Sequence, residues 1–181
     1  MNNRLLFFAL LFCCQTLFAQ KMTQPQYVEA YASFAMTEME RSGVPAAITL
    51  AQGILESESG NSILAREANN HFGIKCKHEW KGGRIYHDDD QYGECFRRYP
   101  SVKESYRDHS DFLRFRPFYT SLFSLDPADY KAWAFGLKKA GYATGSQYPN
   151  KLISLIERYN LNQYTLQVIE RMNTAQSNTS N

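Results

Sequence analysis

A glutamate at the end of an apolar run is the first residue in this sequence able to do chemistry. Glu56 follows the stretch from Ala46 to Leu55, which is apolar nearly all round and reads as a buried helix opened by Pro45. Burial disfavours a charged carboxylate and raises its pKa. The negative end of the helix dipole pushes the same way. A carboxyl group kept neutral near pH 7 can hand a proton to a leaving sugar oxygen, as glycoside hydrolysis requires. The competing reading is an ordinary solvated helix-end glutamate. Glu58 competes for the role but lies beyond the apolar stretch, where it should be wetter.

A second carboxylate is available in Asp88-Asp89-Asp90. On an extended segment Asp88 and Asp90 share a face and Asp89 opposes them, so one pair could look into a cleft. A solvated acidic turn is the plainer reading. Calcium is disfavoured, because neither EF-hand spacing nor its glycine is present. Other schemes fare worse: there is no Gly-x-Ser-x-Gly elbow, phosphate loop, dinucleotide fingerprint or His-Glu-x-x-His.

The elements that must position these groups are mostly helical. Thr23 can cap a first helix with Pro25 in its first turn, and Tyr27, Tyr31, Phe34 and Ala35 form its apolar stripe up to Gly43. Ser62 to Ala68 adds a short helix, and His71 to Cys76 reads as extended. Ile85 to His87 and Glu94 to Tyr99 read as two strands joined through the acidic turn. Ser101-Val102-Lys103-Glu104 is a capping box, and the helix it opens stops at Pro117. Asp126-Pro127 starts another, ending at Gly141, and Pro149 begins one more. The class is α+β, mainly α, with a helical lobe, a small β-hairpin lobe and a cleft between them.

The ends and the composition narrow the setting. Asn2-Asn3-Arg4 followed by the apolar Leu5 to Phe18 reads as a secretion signal over residues 1–19. Cys13 or Cys14 as a lipid anchor is the alternative, although Phe12 stands where a small residue is wanted. The domain is expected over residues 20–161. Residues 162–181 read as a polar C-terminal extension whose end is disordered. Once exported, Cys76 and Cys95 are a natural disulfide pair. A metal site with His71, His78 and His87 is the alternative, but the spacing matches no standard zinc pattern. The net charge of +2 and the lack of any basic run argue against a nucleic-acid partner. Aromatics make up 14%, enough to line a carbohydrate groove, though a Phe- and Tyr-rich core explains them equally.

Four segments, in order, resemble a known family. These are Ala51-Gln52-Gly53-Ile54-Leu55-Glu56-Ser57-Glu58-Ser59-Gly60, Asn69-Asn70-His71-Phe72-Gly73-Ile74-Lys75, Phe96-Arg97-Arg98-Tyr99 and Ala140-Gly141-Tyr142-Ala143-Thr144 with Tyr148. Together they resemble the bacterial glucosaminidases, glycoside hydrolase family 73, over about residues 25–161. The resemblance implies a lysozyme-like fold and hydrolysis of the β-1,4 bond between N-acetylglucosamine and N-acetylmuramic acid in peptidoglycan glycan strands. It implies Glu56 as general acid and Tyr142 beside the reacting sugar, with Tyr148, Asn70 and Phe72 near the cleft. Trp80 is a further candidate for stacking on sugars. Many members carry a glutamate on the hairpin; the corresponding stretch here offers aspartates, with Asp90 the first choice and Asp88 the second. The family often reads Leu-Glu-Ser-Gly, whereas here Glu58-Ser59 intervene before Gly60. The expected protein is an exported, periplasmic or extracellular monomer without metal, cofactor or stable membrane insertion. The alternatives are a lytic transglycosylase and a non-catalytic peptidoglycan-binding module.

Overall fold

The computed structural model describes residues 21–89 and 91–179. The expected signal segment, with Cys13 and Cys14, lies outside the described residues, and so does Asp90. The elements run α1 (Gln24–Ser42), α2 (Ala46–Glu56), α3 (Ile63–Ala68), β1 (Gly83–His87), β2 (Glu94–Arg98) and α4 (Val102–Phe115). A 3-10 segment (Pro117–Ser124), α5 (Tyr130–Lys139), α6 (Tyr148–Arg158) and α7 (Asn162–Thr179) follow. The result is the expected mainly helical body with a two-stranded antiparallel sheet. Among the described residues no helix is long and apolar enough to cross a membrane.

Helix α2 is the axis of the body, and α1, α5, α6 and α7 pack around it. Every residue from Ala46 to Ile54 is buried. Each fully buried Ile or Leu on it, such as Ile48 or Leu50, contributes about 1.5–3 kcal/mol. A helix so enclosed cannot cap its first turn with water. Pro45 supplies no side-chain cap, and the Ala47 N–H donates instead to the Thr165 hydroxyl of α7 at 3.0 Å.

That contact corrects the reading of the C-terminus. Residues 162–179 form one helix, α7, and the end of the expected extension, residues 180 and 181, lies outside the described residues. Thr165 and Val168 are fully buried, so the first half of α7 completes the core. Its polarity hid this, because only one narrow face touches α1 and α2. The start of α5 also moves. Asp126 makes a turn by accepting from the Ala128 N–H, and Asp129 is the cap, accepting from the Ala132 N–H at 2.9 Å. Two aspartates three apart offer the same local signal, and the turn decides between them. The other caps follow their sequence cues. Thr23 and Gln26 form a reciprocal capping box on α1. Ser101 accepts from the Glu104 N–H at α4.

The hairpin pairs Gly83 with Arg98 through His87 with Glu94. Its inner strand β2 is held on its far edge by the segment after Gly73. Lys75 bridges Phe96, and the Arg97 N–H donates to the Ile74 carbonyl at 2.9 Å. Only that half of the stretch from His71 to Cys76 is extended; His71 and Phe72 lie in a turn that Gly73 leaves at φ +60°. Cys76 and Cys95 form the disulfide across this junction, with Cα atoms 5.3 Å apart. By the chain-entropy model a loop of this length stabilises the fold by roughly 3 kcal/mol. Reduction is expected to lower the melting temperature, and alkylation of the unreduced, unfolded protein should label neither Cys76 nor Cys95.

Two buried histidines make the fold acid-sensitive. His71 accepts a hydrogen bond at Nδ1 from the Tyr27 hydroxyl, which in turn accepts from Tyr106. Burial lowers its pKa to about 4, and burial lowers that of His109 to about 3. The unfolded chain binds these protons near the ordinary value of 6.5, so between that pH and the folded values it holds more protons than the native state. The stability they contribute is complete above pH 6.5 and is lost as the pH falls toward the folded values. The melting temperature is therefore expected to drop steadily from pH 7 to pH 4, ahead of carboxylate titration. A flat profile over that range would contradict the buried, neutral assignment.

Candidate active site

Glu56 is the last residue of α2, and the chain leaves the helix in an unusual way. Glu58, Ser59 and Gly60 take left-handed conformations at φ +52°, +58° and +80°. Such backbone costs a non-glycine residue roughly 1–2 kcal/mol. Local bonds hold it: the Ser57 hydroxyl accepts from the Gly60 N–H at 2.7 Å, and Asn61 bonds both the N–H and the carbonyl of Met22. The Glu58-Ser59 pair before Gly60 thus builds a left-handed turn that ends α2 abruptly. The Glu56 carboxyl emerges from the helix tip into a cleft of about 530 Å³.

The cleft runs between the helical body and the hairpin. Phe72, Gly73 and Ile74 lie along it, Tyr142 and Phe112 line the helical side, and His87 and Asp89 line the hairpin side. Glu56 is exposed to water, while neighbouring protein still crowds part of its carboxyl. Its pKa is raised, first by this desolvation. A hydrogen bond from Tyr148 and the Lys151 ammonium pull the other way, and the Asp89 charge adds to the rise.

The aromatic wall is one packed group. Tyr142 and Tyr148 stack with ring centres 5.8 Å apart, and Phe72 stacks on His109 at 4.0 Å. Gly141, at φ +82°, turns the chain out of α5, and the Tyr142 N–H returns to the Leu137 carbonyl at 3.0 Å. Lys138 ties down the next carbonyl, that of Ala143, at 3.1 Å. Tyr148 is buried, with its hydroxyl accepting from Gln52 Nε2 at 2.9 Å. Glu56, Tyr142, Tyr148 and Phe72 are therefore brought together as the sequence leads one to expect.

Three expected residues are not. Asn70 is buried and fully engaged in structure: Nδ2 donates to the carbonyls of Ile74 and Arg97, and Oδ1 accepts from the Ile74 N–H. It ties the turn to β2 and does not face the cleft. Trp80 lies in a separate groove with Tyr99 and Asp108, sharing no lining residue with the Glu56 cleft among the described residues. Its ring covers the Arg97 guanidinium at 4.6 Å, and Nε1–H donates to the Gly83 carbonyl. Asp88 is an exposed turn residue whose Oδ1 accepts from the Gly93 N–H at 2.7 Å. The face-sharing argument fails because β1 ends at His87, so strand alternation stops before the acids begin. Asp89 is the described aspartate at the cleft, 3.3 Å from the Lys75 ammonium, which also binds Glu94 at 2.9 Å. No group of three His, Cys, Asp or Glu side chains is placed to hold a metal among the described residues.

The glucosaminidase family model, described as mannosyl-glycoprotein endo-beta-N-acetylglucosaminidase, matches residues 32–161. The chain belongs to this glucosaminidase family. It is 33% identical to exo-glucosaminidase LytG of Bacillus subtilis over 78% of the chain and 53% of that relative. It is 36% identical to peptidoglycan hydrolase FlgJ of Salmonella typhimurium over 66% of the chain and 41% of FlgJ. The chain thus spans about half the length of these glucosaminidase relatives. The solved glycoside hydrolase domain of Salmonella typhimurium FlgJ superposes with a TM-score of 0.67 at 29% identity, covering 86% of this chain and 99% of that one. The catalytic domain of the autolysin Auto from Listeria monocytogenes gives 0.66 at 30%, covering 82% and 91%. Glucosaminidase membership and the lysozyme-like two-lobed fold stand together on these matches.

Proposed function

We propose that this glucosaminidase is a peptidoglycan hydrolase, an endo-β-N-acetylglucosaminidase that cleaves the β-1,4 bond between N-acetylglucosamine and N-acetylmuramic acid. The observation that carries the reading is Glu56: a water-accessible carboxyl with a raised pKa, set at the end of a buried helix in a cleft of about 530 Å³. Names of relatives support the substrate class, since FlgJ is called a peptidoglycan hydrolase and LytG an exo-glucosaminidase.

In this reading Glu56 protonates the leaving oxygen as the glycosidic bond breaks. The carboxylate left behind is stabilised by Tyr148 and Lys151. Asp89, across the cleft, takes the part expected of Asp90 or Asp88: it steadies the positive sugar ring or orients the attacking water. The Tyr142 ring positions the sugar. Activity should fall as the pH rises through the raised pKa of Glu56. The chain works as a monomer outside the cytoplasmic membrane, where the Cys76–Cys95 disulfide is stable.

Mass spectrometry of digested cell walls tests the reaction. Soluble fragments ending in reducing N-acetylglucosamine are expected. Anhydro-muramyl ends would instead identify a lytic transglycosylase, and wall binding without any release would identify a binding module.

A further inference from the structure

Two fully buried polar side chains, Gln52 and His109, stand behind Glu56. Gln52 precedes Glu56 by one helical turn on α2 and shares its face. His109, on α4, places Nε2 3.1 Å from Gln52 Oε1. Gln52 Nε2 donates to the Tyr148 hydroxyl at 2.9 Å, and the Tyr148 hydroxyl faces the Glu56 carboxyl closely enough to pull its pKa down. A carbonyl oxygen only accepts, so His109 carries its proton on Nε2. The Gln52 amide occupies the Tyr148 oxygen, which leaves the phenol proton for Glu56. Each link sets the direction of the next.

His109 is built to hold that direction. Burial keeps it neutral, with one N–H to give. Phe72 stacks on its face, and Tyr142 meets it edge-on at 6.2 Å. Its Nδ1 is buried without a hydrogen-bond partner among the described residues. An orphaned buried acceptor is costly, so a histidine here needs a reason beyond packing.

We propose that His109 and Gln52 are positioning residues, which direct the Tyr148 O–H onto one Glu56 oxygen so that the acid proton resides on the other, facing the sugar. This rests on the reading of Glu56 as the acid. No proton travels along the chain. The Glu56 proton passes to the leaving oxygen, the glycosidic bond breaks, and the new carboxylate keeps the Tyr148 hydrogen bond. The other groups facing Glu56 are Lys151 from α6, Tyr142 from the loop before it and Asp89 from the hairpin turn.

Nitrogen NMR of the wild-type imidazoles tests the polarity without substrate or mutation. The Nε2–H tautomer is expected for His109, and the Nδ1–H tautomer would overturn the proposal. Kinetics test the consequence. Gln52→Leu should lower kcat roughly tenfold or more with little change in KM. Because the Tyr148 hydrogen bond lowers the Glu56 pKa, losing its aim should move the alkaline limb of the pH profile upward. Tyr148→Phe should move it likewise, and the double variant should lose no more than the worse single one. Losses that multiply, or a limb that stays in place, would refute the coupling. If wild-type protein releases no reducing ends from walls, the hydrolase reading fails while the tautomer result still stands on its own.

Discussion

Glu56→Gln is expected to lower turnover of peptidoglycan by roughly 10²–10⁴-fold or more while leaving the fold intact. The amide keeps the shape of the acid and can still meet Tyr148, but it has no proton to release. The native carboxyl is already strained toward its neutral form by the surrounding protein. Replacing it with a neutral group therefore carries no stability penalty from desolvation at pH 7. Turbidity clearing of purified walls and the melting temperature read the two halves of this expectation. Clearing at the wild-type rate by a folded Glu56→Gln protein would remove the glycosidase mechanism altogether.

Asp89→Asn is the second large effect. Asp89 is the described hairpin aspartate at the cleft, so its loss should slow turnover by roughly 10–100-fold, as for a group that steadies charge in the transition state. It should also shift the pH profile. The Asp89 charge raises the Glu56 pKa, so neutralising it lets Glu56 ionise earlier, and the alkaline limb moves to lower pH. Asp88→Asn is the control: Asp88 caps a turn at Gly93, and its loss should cost little activity. A dead Asp88→Asn protein beside a normal Asp89→Asn protein would reverse the assignment. The opposite displacements expected for Asp89→Asn and Tyr148→Phe separate a charge effect from a hydrogen-bond effect on the same carboxyl.

Most helices and both strands were legible because their causes are local. The Thr23–Gln26 capping box, the all-apolar α2, the Ser62 cap and the glycine stops at Gly43 and Gly141 each act within one or two turns of chain. The pairing of Cys76 with Cys95 was readable once export was expected, because the expected signal segment takes Cys13 and Cys14 with it. Helix α7 was misread because a helix that buries only a face carried by residues such as Thr165 and Val168 looks polar in sequence. Asn70 and Trp80 carry structural contacts that their sequence context does not reveal. Both occupy family-like or groove-like contexts, but their polar and aromatic groups are consumed by Ile74, Arg97 and Gly83.

The sequence suggested the type of chemistry in two ways: an acid ending a greasy helix has a raised pKa wherever that helix is buried, and four ordered motifs resemble those of the glucosaminidases. Which groups surround that acid was a matter of the folded chain. The choice of Asp89 over Asp88 depends on strand β1 ending at His87, one residue before alternation could have selected the other face. The chain from His109 to Glu56 joins residues 57 and 96 positions apart through Gln52. Residues so distant meet only when three helices, α2, α4 and α6, close on one core, and a hydrogen bond acquires its direction only once both ends are in place.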